Sequence, residues 1–159
     1  MIPILRCEQQ KRLDEFTILT EPIPSIDLLE RACFFLFQEL KNHIQLSTKI
    51  TIVSGPGNNG ADGLCLARIL HQKGYKVEVL VTQLNQDRSI DNQIQLTLLS
   101  AITGISIQFI EPEDLNYLDS LLEGDLIIDG LFGSGLNRSL NDYYQSIIES
   151  INRFNGLVF

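Results

Sequence analysis

Lys49 to Leu64 reads KITIVSGPGNNGADGL, and this stretch decides the fold. KITIVS is a short apolar run rich in β-branched residues, as a buried strand requires. It ends in glycine. Ala61 to Lys73 then has the spacing of a helix, with Gly74 at its carboxyl end. Between the two lies G-x-G-x-x-G: Gly55, Gly57 and Gly60. A glycine loop between a strand and a helix lets backbone approach a ligand closely, and the helix start offers free N–H groups to phosphate.

Outward from this unit the same rhythm repeats. KVEVLV (76–81) predicts a second strand, Ile90 to Thr103 a helix, SIQFI (106–110) a third strand, and Pro112 to Leu122 a short helix opened by proline. DLIIDGLF (125–132) predicts a fourth strand beside the first, Leu140 to Arg153 a helix, and LVF at 157–159 the start of a fifth strand. Towards the amino end, residues 6–18 predict one helix. After Pro22 and Pro24, Ser25 is expected to cap a second helix reaching His43. Its residues Phe34, Phe35 and Phe37 cover more than one face, so part of that surface is expected to meet another subunit. Alternating strands and helices give an α/β class: a Rossmann-like three-layer α/β/α sandwich with a mainly parallel sheet and an N-terminal helical arm. Ligands then sit beyond the carboxyl ends of the strands. All 159 residues are expected to form one such domain, 1–159, whose short last strand predicts truncation at the C-terminus inside the fifth strand.

A formal net charge of −8, with no cluster of Lys or Arg, argues against nucleic acid or an anionic membrane as partner. The three cysteines, Cys7, Cys33 and Cys65, are odd in number and lack C-x-x-C spacing. This excludes a disulfide framework and points to a reducing, cytoplasmic setting. MIPILRCEQQ lacks a cationic lead into an apolar run, and no stretch is long enough to span a membrane.

Two loops carry chemistry. The first holds Asn58, Asn59, Gly60, Ala61 and Asp62, whose oxygens suit a hard cation or a hydroxyl-rich ligand; alternatively they serve the turn and the helix cap. An ordinary dinucleotide fold would place an acid after the second strand, yet Thr82 and Gln83 stand there, and no P-loop G-K-[ST] follows. This weighs against a plain NAD-dependent dehydrogenase. The second loop follows Asp129 and comprises Gly133, Ser134, Gly135, Leu136, Asn137, Arg138 and Ser139. Asp129 lies among apolar residues in the sequence and is expected either to need a partner or a cation, or to cap a turn. Arg138 either faces phosphate or is solvated.

G55-P-G-N-N-G-A-D-G-L...A-R68 and D129-G-L-F-G-S-G-L136 together resemble the paired signatures of the NAD(P)H-hydrate epimerase family (YjeF N-terminal domain). The resemblance implies an isomerase that interconverts the R and S forms of hydrated NADH and NADPH, in nicotinamide nucleotide repair. It implies a homodimer, a potassium ion (K+) on Asn59 and Asp129, and the hydrated nucleotide held by residues 58–62 and 133–139. It also implies a dehydratase as fused or separate partner. The family's catalytic Asp is expected beyond Phe159. The alternative is a non-catalytic nucleotide-binding or dimerising scaffold of the same fold. Ala61 departs from the family's glycine and is expected to narrow the loop slightly.

Overall fold

The computed structural model describes residues 5–82, 87–122, 124–133, 136 and 139–159, with the side chains of Cys7 and Tyr117 outside that set. Two helices lead, α1 (Cys7–Thr20) and α2 (Ser25–Leu40). Then come β1 (Lys49–Ser54), α3 (Asn58–Gln72), β2 (Lys76–Thr82), α4 (Ile90–Ser100) and β3 (Ser106–Ile110). A 3₁₀ turn (Pro112–Tyr117) runs into α5 (Leu118–Leu121), followed by β4 (Leu126–Gly130), α6 (Asp142–Arg153) and β5 (Leu157–Val158). The strands form one parallel sheet in the order β3-β2-β1-β4-β5. The chain therefore winds out from β1 in one direction and returns to build β4 on its other side. The switch point lies between β1 and β4, where such sheets open a crevice for ligands.

Each face of the sheet has its own core. Ile50, Ile52, Val79 and Leu126 pack with Leu64, Leu66 and Leu70 of α3 and Leu99 of α4, with Phe37 and Leu40 of α2 outside them. Val53, Leu80 and Ile127 pack on the opposite face with Leu118, Tyr143, Tyr144, Ile147 and Ile151. The β1 residues that alternate along the strand serve opposite faces, which is why KITIVS is apolar almost throughout. The three-layer, parallel architecture expected from the sequence is what the structure shows.

Several boundaries differ from expectation, for local reasons. Pro24, extended at φ −61° and ψ 153°, occupies the N-cap position of α2, so Ser25 is already inside the helix. Its hydroxyl donates instead to Asp91 Oδ1 at 3.0 Å. Helix α3 begins at Asn58, with Gly57 as its N-cap. The Asn-Asn-Gly run read as loop is thus the first turn of the helix, because Asn58 and Asn59 keep helical geometry once Gly57 makes the bend. The Pro112 segment is mostly a 3₁₀ turn, with a single α-turn after it.

Candidate functional site

The carboxyl ends of β2, β1 and β4 lie side by side at one end of the sheet. The β1 loop turns so tightly that side chains are excluded from its corners. A Cβ on Gly55 would sit 2.1 Å from the Leu131 carbonyl oxygen, and one on Gly60 would sit 1.9 Å from the Gly55 carbonyl oxygen. Both obstacles are backbone, so neither position accepts a larger residue without moving the chain. The Gly55 N–H donates to the Gly130 carbonyl at 3.0 Å, joining this loop to the end of β4. Ser54 is buried beneath it, and its hydroxyl donates to the Gly60 carbonyl at 3.1 Å.

Asn92, in the first turn of α4 and fully buried, fastens the loop from the side. Its Nδ2 donates to the carbonyls of Gly55 at 2.9 Å and Gly57 at 3.1 Å. The Ser89 N–H adds a bond to the Pro56 carbonyl at 3.0 Å. Arg88, just before Ser89, donates to Asn92 Oδ1 at 3.0 Å and to the Thr82 carbonyl that ends β2. Burial pushes the Arg88 guanidinium below its usual range, with Tyr144 and Tyr143 acting weakly the other way. Tyr144 closes the floor. Its hydroxyl lies 3.4 Å from that of Thr82, and its ring meets Phe132 edge-on at 4.8 Å between centroids. None of Arg88, Asn92 or Tyr144 was singled out by the sequence. The available signal was a polar amide three residues after the Ser89 cap, where helix surfaces usually carry an acid.

Asn59 is half-buried at the start of α3, and its Nδ2 donates to the Phe132 carbonyl at 3.1 Å. Gly133 lies beside it: a Cβ there would meet Asn59 Cβ at 3.4 Å. The starts of the two loops therefore meet at Asn59. Asn58 is exposed, and Gly60 is buried inside the turn. Gly133, Leu136 and Ser139 are exposed on the β4 side. Ser134, Gly135, Asn137 and Arg138 lie outside the described residues.

Three expectations change. Ala61 does not narrow the loop. It is fully buried in the contact of α3 with α2, against Leu29, Cys33 and Cys65, where a methyl group fills space. Asp62 also faces α2, accepting from the Cys33 thiol, whose Sγ is 3.9 Å from Oδ1 and 3.4 Å from the Asp62 carbonyl. Burial raises the Asp62 carboxyl to about 6, and Asp14 and Asp91 add to the rise while the Cys33 bond opposes it. Cys33 is held protonated, first by its hydrogen bond with Cys65 and then by burial. Asp129 is exposed, not enclosed by the apolar residues around it in sequence. It satisfies itself locally, its Oδ1 accepting from the Leu131 N–H at 2.9 Å, which is the turn-capping alternative.

The oxygen donors fit a hard monovalent cation. Asn59 spends its Nδ2 on Phe132, which orients the amide and leaves Oδ1 without a partner among the described residues. Asp129 Oδ2 is likewise unengaged there. Neutral amide and single-carboxylate oxygens suit a hard cation of low charge. Among the described residues no three His, Cys, Asp or Glu side chains cluster as ligands.

Residues 25–159 match the family described as YjeF-related protein N-terminus. The NAD(P)H-hydrate epimerase of Limosilactobacillus reuteri is 31% identical over 156 residues, covering 98% of this chain and 70% of the relative. That of Limosilactobacillus fermentum is 34% identical over 144 residues, covering 91% and 65%. The bifunctional NAD(P)H-hydrate repair enzyme Nnr of Dictyoglomus turgidum is 36% identical over 152 residues, covering 94% of this chain and 28% of that one. The crystal structure of the yeast protein YNL200c has the same fold, with a TM-score of 0.74 over 99% of this chain and 69% of that chain, at 20% identity.

Proposed function

The chain belongs to the family of YjeF-related protein N-termini, and from that premise we propose that it is an NAD(P)H-hydrate epimerase. It interconverts the R and S forms of hydrated NADH and NADPH, so that a dehydratase, fused or separate, can act on one of them. The observation that carries this reading is the junction of the two signature loops. Asn59 Nδ2 reaches the Phe132 carbonyl at 3.1 Å, and the Gly55 N–H reaches the Gly130 carbonyl at 3.0 Å. The cleft so formed presents the free N–H groups of the α3 start, where phosphate is held without side-chain charge.

Potassium on Asn59 Oδ1 and Asp129 would supply a fixed positive charge near the substrate's polar groups. The chain's own residues orient that site, Asn59 through Phe132 and Asp129 through Leu131. The acid–base aspartate that the resemblance places after Phe159 would emerge nearby, because the Asp129 N–H donates to the Phe159 carbonyl at 2.9 Å. Homodimer formation is supported by Phe34 and Phe35, which are 48% and 63% exposed on α2. The buried free thiols Cys33 and Cys65 suit a reducing cytoplasm. No described helix is long and apolar enough to cross a membrane.

The test follows R-to-S conversion of hydrated NADH and NADPH by chromatography. The expected result is rapid re-equilibration by protein extended through the sequence after Phe159. Residues 1–159 alone should be about 10²- to 10⁴-fold slower, the usual worth of a positioned acid–base group. An epimer ratio that drifts no faster with the extended protein than in buffer would overturn the reading.

A further inference from the structure

Arg88 is a half-buried cation with no acid paired to it among the described residues. The other arginines described in ion pairs, Arg31, Arg68 and Arg153, each meet a carboxylate. Among the described residues Arg88 meets neutral acceptors alone, Asn92 Oδ1 and the Thr82 carbonyl. A guanidinium carries five N–H donors. Two are used, and the rest have no acceptor among the described residues. Tyr144 and Tyr143 also lie near it, but as neutral phenols at pH 7 they bring no counter-charge. Partly desolvating a cation with no counter-charge is unfavourable, so an anion supplied from outside would relieve it.

Its place indicates which anion. Arg88 is tied to the last residue of β2, at the carboxyl end of the sheet, and through Asn92 to the Gly55–Gly57 turn. In doubly wound nucleotide-binding sheets the end of the second strand meets the adenosine ribose, and an arginine there accommodates a 2′-phosphate where an acid would hold the free hydroxyl. In this chain β2 ends at Thr82 with no acid, and Arg88 stands beside it. The overall charge of −8 gives the dinucleotide little attraction elsewhere.

We propose that Arg88 binds a phosphate of the hydrated dinucleotide at the carboxyl end of β2. The inference rests on the epimerase reading and adds to it the residue that recognises the adenosine half. A 2′-phosphate contact makes hydrated NADPH the preferred substrate, whereas a pyrophosphate contact serves both substrates alike.

The experiment compares wild type, Arg88→Gln and Arg88→Lys in the full protein, by KM for hydrated NADH and hydrated NADPH and by calorimetric Kd for each. Loss of a charged hydrogen bond predicts a 10- to 100-fold rise in KM and Kd for Arg88→Gln. The Arg88→Lys variant should recover part of the affinity, because it keeps the charge. A rise confined to hydrated NADPH identifies the 2′-phosphate; an equal rise for both identifies the pyrophosphate. Unchanged KM and Kd for both substrates in Arg88→Gln overturn the proposal. So does a loss in which Arg88→Lys is as weak as Arg88→Gln and both melt earlier than wild type, since the role would then be structural support of the Gly55–Gly57 turn. A wild type that binds neither substrate would instead remove the epimerase reading itself, so the two failures are distinguishable.

Discussion

The loop after β1 and the loop after β4 meet at the carboxyl end of the sheet, yet they are fixed by different means. The first is shaped by what it lacks, with the Asn92 amide fastening it from the side. Its corners admit no side chain, since a Cβ at Gly55 or Gly60 would collide with backbone oxygen at 2.1 Å or 1.9 Å. The second is fixed, in its described part, by side chains: Asp129 on the Leu131 N–H, Asn59 on the Phe132 carbonyl and the Phe132 ring on Tyr144. A loop held by backbone contact fails all at once when it is overfilled. A loop held by side chains loses one contact at a time.

Substitutions can break or sharpen this contrast. The largest effect is expected for Gly60→Ala, which forces the helix start off the Gly55 carbonyl. It should destabilise the protein by more than about 3 kcal/mol in urea unfolding, beyond the usual range for overpacking. Gly133→Ala, whose new methyl group would meet the Asn59 side chain at ordinary contact distance, Cβ at 3.4 Å, should stay within about 1 kcal/mol of wild type. Equal losses in the two would end the contrast.

Next comes Asn92→Ala. It removes the amide that donates to both the Gly55 and Gly57 carbonyls and opens a cavity at a fully buried position. About 2–4 kcal/mol should be lost by the same measurement, with binding of hydrated nucleotide weakened in parallel.

Asp62 gives a pH test of the first loop's outer flank. Its carboxyl is raised from 3.8 to about 6 in the folded protein, so the protonated form favours folding. That contribution is fully present below about pH 3.8 and is lost as pH rises through about 6. At 1.36 kcal/mol per unit the shift is worth at most about 3 kcal/mol, less with partial solvation. Asp62→Asn should therefore flatten the stability profile between pH 4 and about 6 and melt higher than wild type at pH 8. A variant with an unchanged slope would show that Asp62 titrates as it does in the unfolded chain.

The smallest effect is expected at Gly57, where nothing lies within 4 Å of an added Cβ. Gly57→Ala sets a slightly poorer cap against a stiffer unfolded chain and should change stability by less than about 0.5 kcal/mol. A large loss there would mean that the whole turn, and not only its two corners, is intolerant.

These contrasts also explain what could be read from the chain beforehand. The strands themselves and the pairing of β4 beside β1 followed from apolar runs and crossover rules, which depend on local pattern and general geometry. The start of α3 was placed too late because Asn-Asn-Gly has the composition of a turn; only the extended Gly57 shows where the bend lies. Asp129 looked enclosed because sequence neighbours were taken as spatial ones. Its carboxylate in fact turns back to its own loop. Asn92 and Arg88 were illegible for a deeper reason. Asn92 acts on carbonyls 37 and 35 residues away, and a backbone carbonyl leaves no mark in a sequence.

The Asn92 clamp has one further consequence. The carbonyls of Gly55 and Gly57 are already committed to its amide, and the Pro56 carbonyl to Ser89. The turn therefore gives up its conformational entropy when the protein folds, not when a ligand arrives. Ordering a residue's backbone consumes about 1–2 kcal/mol, and here that loss has been moved out of the binding step. This half of the cleft should bind as a preformed socket, with its share of affinity drawn in full from contact.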